Sequence, residues 1–211
     1  INTNTQKIKN NIADQTIDAT TILKKNLLSA LPTYKQLQAP VKCEILQNNK
    51  TNKLYGDFII TENTIQAKLY SALNYAKIEI SGDTQILKIT VNGKTETADT
   101  SAFDTLKIFE LINFIFTNRL NENAITDDIK KKPNNSNVLN ITLWNKVLAV
   151  FDNLTNEFLQ LDYNKIQITF KKYFETQKNK VPIELQIISN NPDNIFTAKI
   201  WLAKNKILLK E

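Results

Sequence analysis

The chain has no histidine, no methionine, three glycines and one cysteine among its 211 residues. Without histidine, the Ser-His-Asp and Cys-His catalytic arrangements cannot form, and the commonest catalytic zinc sites lose their main ligand. The three glycines are isolated, whereas phosphate-binding loops need clustered glycines so that the backbone can approach the phosphate closely. These absences exclude most hydrolase classes and argue against nucleotide binding. Carboxylate chemistry stays conceivable, but no spacing marks two acidic residues as a general acid and base, so we expect no enzyme.

Cys43 is the single cysteine, so the chain cannot form an intrachain disulfide. Its segment VKCEI predicts a small residue within a strand rather than a reactive thiol. No run approaches the ~18 consecutive apolar residues of a membrane-spanning helix. A hydrophobic fraction of 42% and a charged fraction of 23% are typical of a globular protein. We expect one domain over residues 1–211.

A formal net charge of +6 raises nucleic acid or an anionic surface as a partner. The lysines are nevertheless spread along the chain, and the dense run at Lys130–Lys132 falls in the polar stretch 121–137, which we predict to be a solvated loop. In KIQITFKKYF, residues 165–174, the apolar residues alternate as in a half-buried antiparallel strand. A base-stacking surface would instead need exposed aromatics interleaved with lysines. We expect no nucleic-acid partner.

Two segments have apolar residues at helical spacing. The first extends from Ile8 to Leu31, just before Pro32, and predicts one helix or a broken pair. The second extends from a possible cap at Ser101 to about Arg119. Its apolar stripe is either plain core or the lining of an apolar cavity, and it consists of Phe103, Leu106, Phe109, Ile112 and Phe116.

Between and after these helices, strand alternation predicts about eleven antiparallel strands joined by short connections, of which Asn92-Gly93 is the strongest hairpin signal. Two helices cannot cover both faces of such a sheet. The sheet must close, split into a sandwich, or curl around the helices as an open barrel. The last alternative is an α+β fold, an antiparallel half-open β-barrel whose helices cover an apolar concavity.

Three segments carry a resemblance to the LolA/LolB lipoprotein-localisation family, and within it to the LolB-like outer-membrane lipoprotein receptors. LYSALNYAKIEI, residues 69–80, is similar to that family's strand, protruding loop with an exposed leucine, and strand. VNGKTETADTSAFDTL, residues 91–106, resembles its strand, glycine turn and helix start. VPIELQIISNNPDNIFTAKIWLAK, residues 181–204, is similar to its final hairpin. The resemblance implies the half-open barrel.

The resemblance also implies a function, namely binding the acyl chains of lipoproteins in an apolar cavity and inserting them into the outer membrane. Ala72 and Leu73 would form the membrane-insertion loop. The candidate cavity residues, taken from strand alternation and the helix stripe, are Phe58, Ile60, Leu69, Ile78, Ile80, Leu87, Ile89, Phe109, Ile112, Phe116, Phe151, Ile168 and Phe170. Each of them could equally be plain core.

The partners implied are acylated lipoproteins, a LolA-like periplasmic carrier, and the inner leaflet of the outer membrane. Since the family is anchored by a lipidated N-terminal cysteine, we expect a signal peptide and such a cysteine just before Ile1, with residues 1–6 as a flexible tether. The resemblance also implies a location on the periplasmic face of the outer membrane, a monomer, and no cofactor. Two alternatives stay open. One is a LolA-like soluble carrier, and the other is a non-enzymatic periplasmic or surface module that binds protein through a sheet edge and has no lipid cavity.

Overall fold

A computed structural model of the protein describes most of the sheet and one helix. The ranges described are 34–72, 77–83, 86–99, 108–117, 124–132, 135–176, 180–192 and 194–210, with the single positions 21, 24, 25, 27, 28 and 120. Ile108–Thr117 forms helix α1. The fourteen strands are β1 (Gln36–Gln47), β2 (Lys50–Thr61), β3 (Thr64–Ser71), β4 (Lys77–Asp83), β5 (Ile86–Val91), β6 (Lys94–Asp99), β7 (Ile125–Lys132), β8 (Asn135–Leu143), β9 (Val147–Asp152), β10 (Glu157–Tyr163), β11 (Ile166–Glu175), β12 (Lys180–Asn191), β13 (Asn194–Leu202) and β14 (Leu208–Lys210).

All these strands belong to one sheet, and the pairing is antiparallel throughout. Its order is β6-β5-β4-β3-β2-β1-β13-β12-β11-β10-β9-β8-β7, and β14 pairs with the start of β1. Two meanders are thus joined where β1 pairs with β13. The sheet is open, since β6 and β7 each pair with a single neighbour in the part of the chain that the structure describes. The antiparallel pairing is as the alternation predicts, and of the three predicted alternatives the structure has the open sheet.

The expected count of about eleven strands is wrong, since the described residues form fourteen. The main error is the prediction of a loop over residues 121–137. Instead of a loop, β7 occupies Ile125–Lys132 and β8 begins at Asn135. Ile125 pairs with Leu143, and Ile129 pairs with Ile141. Lys130, Lys131 and Lys132 also pair with β8. Charge on an edge strand prevents unwanted pairing with other chains. The three-residue strand β14 is too short to show a pattern.

Helix α1 confirms the second predicted helix over residues 108–117, while the expected cap at Ser101 and the end near Arg119 lie outside the described residues. Thr21, Lys24, Lys25, Leu27 and Leu28 are helical, as predicted for the N-terminal segment. Leu27 is buried in the same core as α1. Both meanders contribute to this core, so the sheet curls around α1.

Glycine occupies two inner-facing positions where the neighbouring strand backbone lies very close. A Cβ at Gly56 would lie 1.7 Å from the carbonyl oxygen of Lys68 on β3. A Cβ at Gly82 would lie 2.6 Å from the carbonyl oxygen of Ile86. Neighbouring backbones approach so closely at these points that no side chain fits between them, which is a common reason for glycine inside a strand.

The strand connections define two ends of the sheet. The β1–β2, β3–β4, β5–β6, β8–β9, β10–β11 and β12–β13 connections lie at one end, here called the upper end, because antiparallel neighbours alternate in direction. The β2–β3, β4–β5, β7–β8, β9–β10 and β11–β12 connections lie at the opposite, lower end. The predicted hairpin turn at Asn92-Gly93 is confirmed, with φ of 50° and 86° at its two residues.

Candidate functional site

The inner face of β2 to β5 carries apolar residues in register across the strands. Phe58, Ala67, Ile80 and Ile89 form one row across these four strands. The next row toward the upper end is Gly56, Leu69, Ile78 and Val91. Four residues predicted as cavity lining, Leu69, Ile78, Ile80 and Ile89, are therefore brought together on one face.

Burial on this inner face decreases toward the upper end and toward β5. Near the lower end, Ile60, Ile65 and Leu87 are buried. In contrast, Ile89 is 37% exposed and Val91 is 44% exposed, while Leu69, Ile78 and Ile80 are half-buried. These five residues, Leu69, Ile78, Ile80, Ile89 and Val91, form what we call the open apolar face. Contiguous apolar surface left partly uncovered is typical of a binding site.

Helix α1 covers the lower part of the inner face and is fixed there by polar contacts. The side-chain amide of Asn113 donates to the carbonyl oxygens of Thr61 (3.3 Å) and Glu62 (3.1 Å) at the β2–β3 connection. The hydroxyl of Thr117 donates to the backbone carbonyl (2.7 Å) and the side-chain oxygen (2.6 Å) of Asn113. Both residues are buried, so these bonds satisfy polar groups that burial would otherwise penalise.

Two further contacts hold the C-terminal half of α1. The ring of Phe116 packs on Phe58 with centroids 4.6 Å apart. The buried hydroxyl of Tyr34 donates to the backbone carbonyl of Phe116, one of the carbonyls that a helix end leaves without an intrahelical partner. The helix is thus attached to β1, β2 and the lower end, and the upper part of the inner face is left more open.

The β3–β4 connection begins immediately beyond the open apolar face. Leu69 and Ile78 pair with each other and are the last inner-facing pair before this connection. Ala72 is exposed. Leu73 lies outside the described residues, so its exposure stays a prediction. The neighbouring β5–β6 turn is tied to the same place, since the Asn92 side chain accepts a hydrogen bond from the backbone N–H of Lys77 at 2.8 Å.

The other meander is filled with aromatic side chains. Phe114 of α1 packs edge-on against Phe158 (4.8 Å between centroids) and Trp144 (5.8 Å). Phe158 also contacts Phe151 (5.0 Å) and Phe170 (6.4 Å). This group of rings is called the aromatic core below.

Three predicted cavity residues, Phe151, Ile168 and Phe170, are buried on this side of the molecule. Their contact with a ligand stays a prediction, as it does for the buried Phe58, Ile60, Leu87 and Phe116 and for the half-buried Ile112. The side chain of Phe109 lies outside the described residues. Val91 is not among the residues predicted from the sequence, although its alternation with Ile89 at the end of β5 is a signal that could have found it.

Charged residues border the open apolar face at the sheet edge, since Glu96 and Lys94 of β6 pair with Ile89 and Val91 and lie on the same face. No group of His, Cys, Asp or Glu side chains within the described ranges could hold a metal ion. Cys43 is buried, and burial, with a smaller contribution from the carboxylate of Glu44, raises its thiol pKa to about 11. The thiol is therefore protonated at neutral pH, as expected for a structural cysteine.

Two grooves of about 260 and 270 Å³ lie on the outer surface of β2 to β5 and share Gln66. They are lined largely by polar side chains, including Ser81, Asp57 and Lys68. Because alternate strand residues point to opposite faces, these grooves are separated from the open apolar face by the sheet. No helix among the described residues is long and apolar enough to cross a membrane.

No family model and no curated protein sequence matches this chain. Solved structures do match it. A DUF1329 family protein from Desulfovibrio piger has a TM-score of 0.58 at 9% identity, over 92% of each chain. A putative outer membrane lipoprotein-sorting protein domain from Vibrio parahaemolyticus has a TM-score of 0.54 at 8% identity, over 93% of each chain. A LolA superfamily protein from Nitrosomonas europaea has a TM-score of 0.54 at 9% identity, over 89% of this chain and 93% of that one.

The chain shares the fold of these three proteins. At such identities the likeness concerns the fold alone. It agrees with the resemblance of the sequence to the wider LolA/LolB group, and it does not distinguish a LolB-like receptor from a LolA-like carrier.

Proposed function

We propose that this protein is a non-enzymatic lipoprotein receptor of the LolB-like type, which holds acyl chains on the open apolar face and delivers them to the outer membrane. The observation that supports the proposal most strongly is the position of Ile89 and Val91. They are large apolar residues on the concave side of a curled sheet, yet they are 37% and 44% exposed. Hydrophobic stabilisation is proportional to the apolar area that is buried, so side chains this exposed contribute less to folding than buried ones do. Their exposed area is available to a ligand.

The energetics of acyl binding suit such a face. Removing each CH₂ group of an acyl chain from water is favourable by about 0.8 kcal/mol. An apolar wall can therefore hold several chains without hydrogen bonds, a cofactor or an energy source. The fold neighbour named for lipoprotein sorting supports acylated lipoproteins as the cargo.

The place of the β3–β4 connection favours a receptor over a soluble carrier. It carries Leu73 directly beyond the Leu69–Ile78 pair of the open apolar face. An exposed leucine at that position would enter a bilayer at the point where the acyl chains leave the protein. The proposal places the protein at the periplasmic face of the outer membrane, as a monomer that receives cargo from a LolA-like carrier.

A module that binds protein through a sheet edge is the alternative. The edge strand β6 supports it, because β6 pairs with β5 alone among the described strands. Such a module would not depend on the acyl chains of its ligand.

Substituting Ile89 with Asp tests the open apolar face directly. We expect the affinity for a triacylated lipopeptide to fall about 30-fold, since a charge opposed to an acyl chain costs roughly 2 kcal/mol. Titration calorimetry measures this change. The matched control is Ile86→Asp, because Ile86 lies on the opposite face of the same strand and is 41% exposed.

Ile86→Asp should bind the lipopeptide as tightly as the wild type does. Thermal unfolding of both variants should be similar, because both positions are exposed to a similar extent. Equal losses of affinity, or no loss in either variant, would mean that the open apolar face does not bind acyl chains.

A further inference from the structure

Lysine recurs at the upper end of the sheet. Five of the six upper connections place a lysine within the turn or directly after it, and all five side chains are exposed: Lys50, Lys77, Lys94, Lys146 and Lys165. We call these five residues the lysine rim. The upper connections contain a single acidic residue, Asp193, which lies outside the described residues. Three carboxylates lie just inside the strands at this end: Glu96, Asp162 and Glu79, the last at 3.0 Å from Lys77.

The lower connections have a different charge pattern. They carry the acidic residues Glu62, Asp83, Asp152, Glu157 and Glu175. The one described lysine at the start of β12, Lys180, is bridged to Glu157 (3.1 Å) and Glu175 (2.6 Å). Exposed lysines also lie at the lower end: Lys130 near the end of β7, and Lys35, Lys204, Lys206 and Lys210 next to β1 and β14. The lower end therefore mixes both signs at its connections, whereas the described residues of the upper connections include lysine and no carboxylate.

Apolar side chains are exposed near the lysine rim. Leu46 (47% exposed), Leu148 (43%) and Ile195 (62%) each lie within two residues of an upper connection, as does Val91 of the open apolar face. A surface that combines distributed lysines with separate apolar side chains suits a bilayer, because the ammonium groups meet phosphates while the apolar groups enter the interface.

We propose that the lysine rim docks the protein on anionic lipid headgroups, with the open apolar face directed toward the membrane. A lysine close to an anionic membrane increases binding about 5-fold, and several lysines act together. Docking would turn the upper end toward the membrane before any acyl chain passes from the protein to the bilayer. The inference deepens the proposed function by naming the surface that meets the membrane, but docking itself needs neither cargo nor an acyl site.

The experiment is co-sedimentation of the cargo-free protein with vesicles. One set consists of phosphatidylcholine alone, and the other of phosphatidylcholine mixed with phosphatidylglycerol. We expect binding to the mixed vesicles only, and loss of binding as sodium chloride is raised, since salt screens exposed charges. Free glycerol phosphate at the same phosphate concentration should not compete, because only a surface presents several headgroups at once.

The rim variant is Lys50→Gln, Lys94→Gln and Lys165→Gln combined, and its matched control is Lys35→Gln, Lys206→Gln and Lys210→Gln combined. Each removes three positive charges from a protein with a formal net charge of +6. We expect the rim variant to lose affinity for mixed vesicles on the order of 100-fold and the control to lose little.

Three results would overturn the proposal. They are equal losses of vesicle binding in both variants, equal binding of the wild type to both vesicle types, and no binding of the wild type to the mixed vesicles. Because the vesicles contain no lipopeptide or lipoprotein, failure of this experiment leaves the result of the lipopeptide titration unaffected. A protein that binds lipopeptide and ignores anionic vesicles would refute the docking surface alone.

Discussion

Leu73→Glu should abolish delivery of an acylated lipoprotein to acceptor membranes and leave the stability of the fold unchanged. In the proposed mechanism, the side chain of Leu73 inserts into the bilayer when the acylated lipoprotein is released. Replacing an inserted leucine with a carboxylate costs roughly 3 kcal/mol, or about 150-fold in the inserted population. Transfer of a labelled lipoprotein from the protein to vesicles measures the effect.

The stability of this variant separates two roles for the leucine. If Leu73 is exposed, the free energy of unfolding should change by less than about 0.5 kcal/mol. Leu154→Glu is the control, because Leu154 is 70% exposed in the β9–β10 connection at the lower end. It should transfer lipoprotein like the wild type. A large loss of stability in Leu73→Glu would show instead that Leu73 belongs to the core.

Phe114→Ala should have the largest effect on folding. Phe114 is fully buried and is the ring through which α1 contacts both Trp144 and Phe158. Removing a buried phenylalanine costs about 3–5 kcal/mol, through lost transfer energy and the cavity that remains. The change is measured as the free energy of unfolding in urea.

Phe196→Ala is the matched control for this prediction. Phe196 is half-buried on β13 and is not part of the hydrophobic core cluster. Its replacement should cost clearly less than the loss of Phe114. Similar costs for the two substitutions would mean that α1 is not held by the aromatic core, and that the helix does not organise the curl of the sheet.

Much of the sheet is predictable from period-two alternation. In β3 to β5 and in β9 to β13, alternate apolar residues predict both the strand and the side chains that share a face. The Asn92-Gly93 turn is predictable because both residues tolerate the positive φ that a two-residue hairpin needs. These signals are local, and a local pattern is what a single sequence provides.

Strands β7 and β14 could not be predicted, because their pairing with neighbouring strands determines them. β7 contains Asp127, Asp128 and three lysines, and its pairing is visible only once Ile125 and Ile129 are placed opposite β8. β14 exists because three residues pair with the start of β1. Neither has enough alternation of its own, since long-range pairing determines both of them.

Only part of the candidate site could be predicted from the sequence, because long-range packing determines the rest. Alternation places Ile78, Ile80 and Ile89 on one face, but Phe151 and Phe170 show an equally good pattern. The isoleucines differ from the phenylalanines in where Phe114 packs. Phe114 and the rest of the aromatic core fill the side of the barrel that contains the phenylalanines, and the open apolar face lies on the other side. That choice is a property of tertiary packing, which no local pattern encodes.

Acyl-chain binding by this protein is the step on which the proposed function depends. It is tested most directly by native mass spectrometry of the protein mixed with a triacylated lipoprotein and, separately, with the same lipoprotein lacking its acyl chains. We expect a one-to-one complex with the acylated form alone. Equal binding of both forms, or binding of neither, would contradict the proposal and favour a module that recognises protein through the open edge of its sheet.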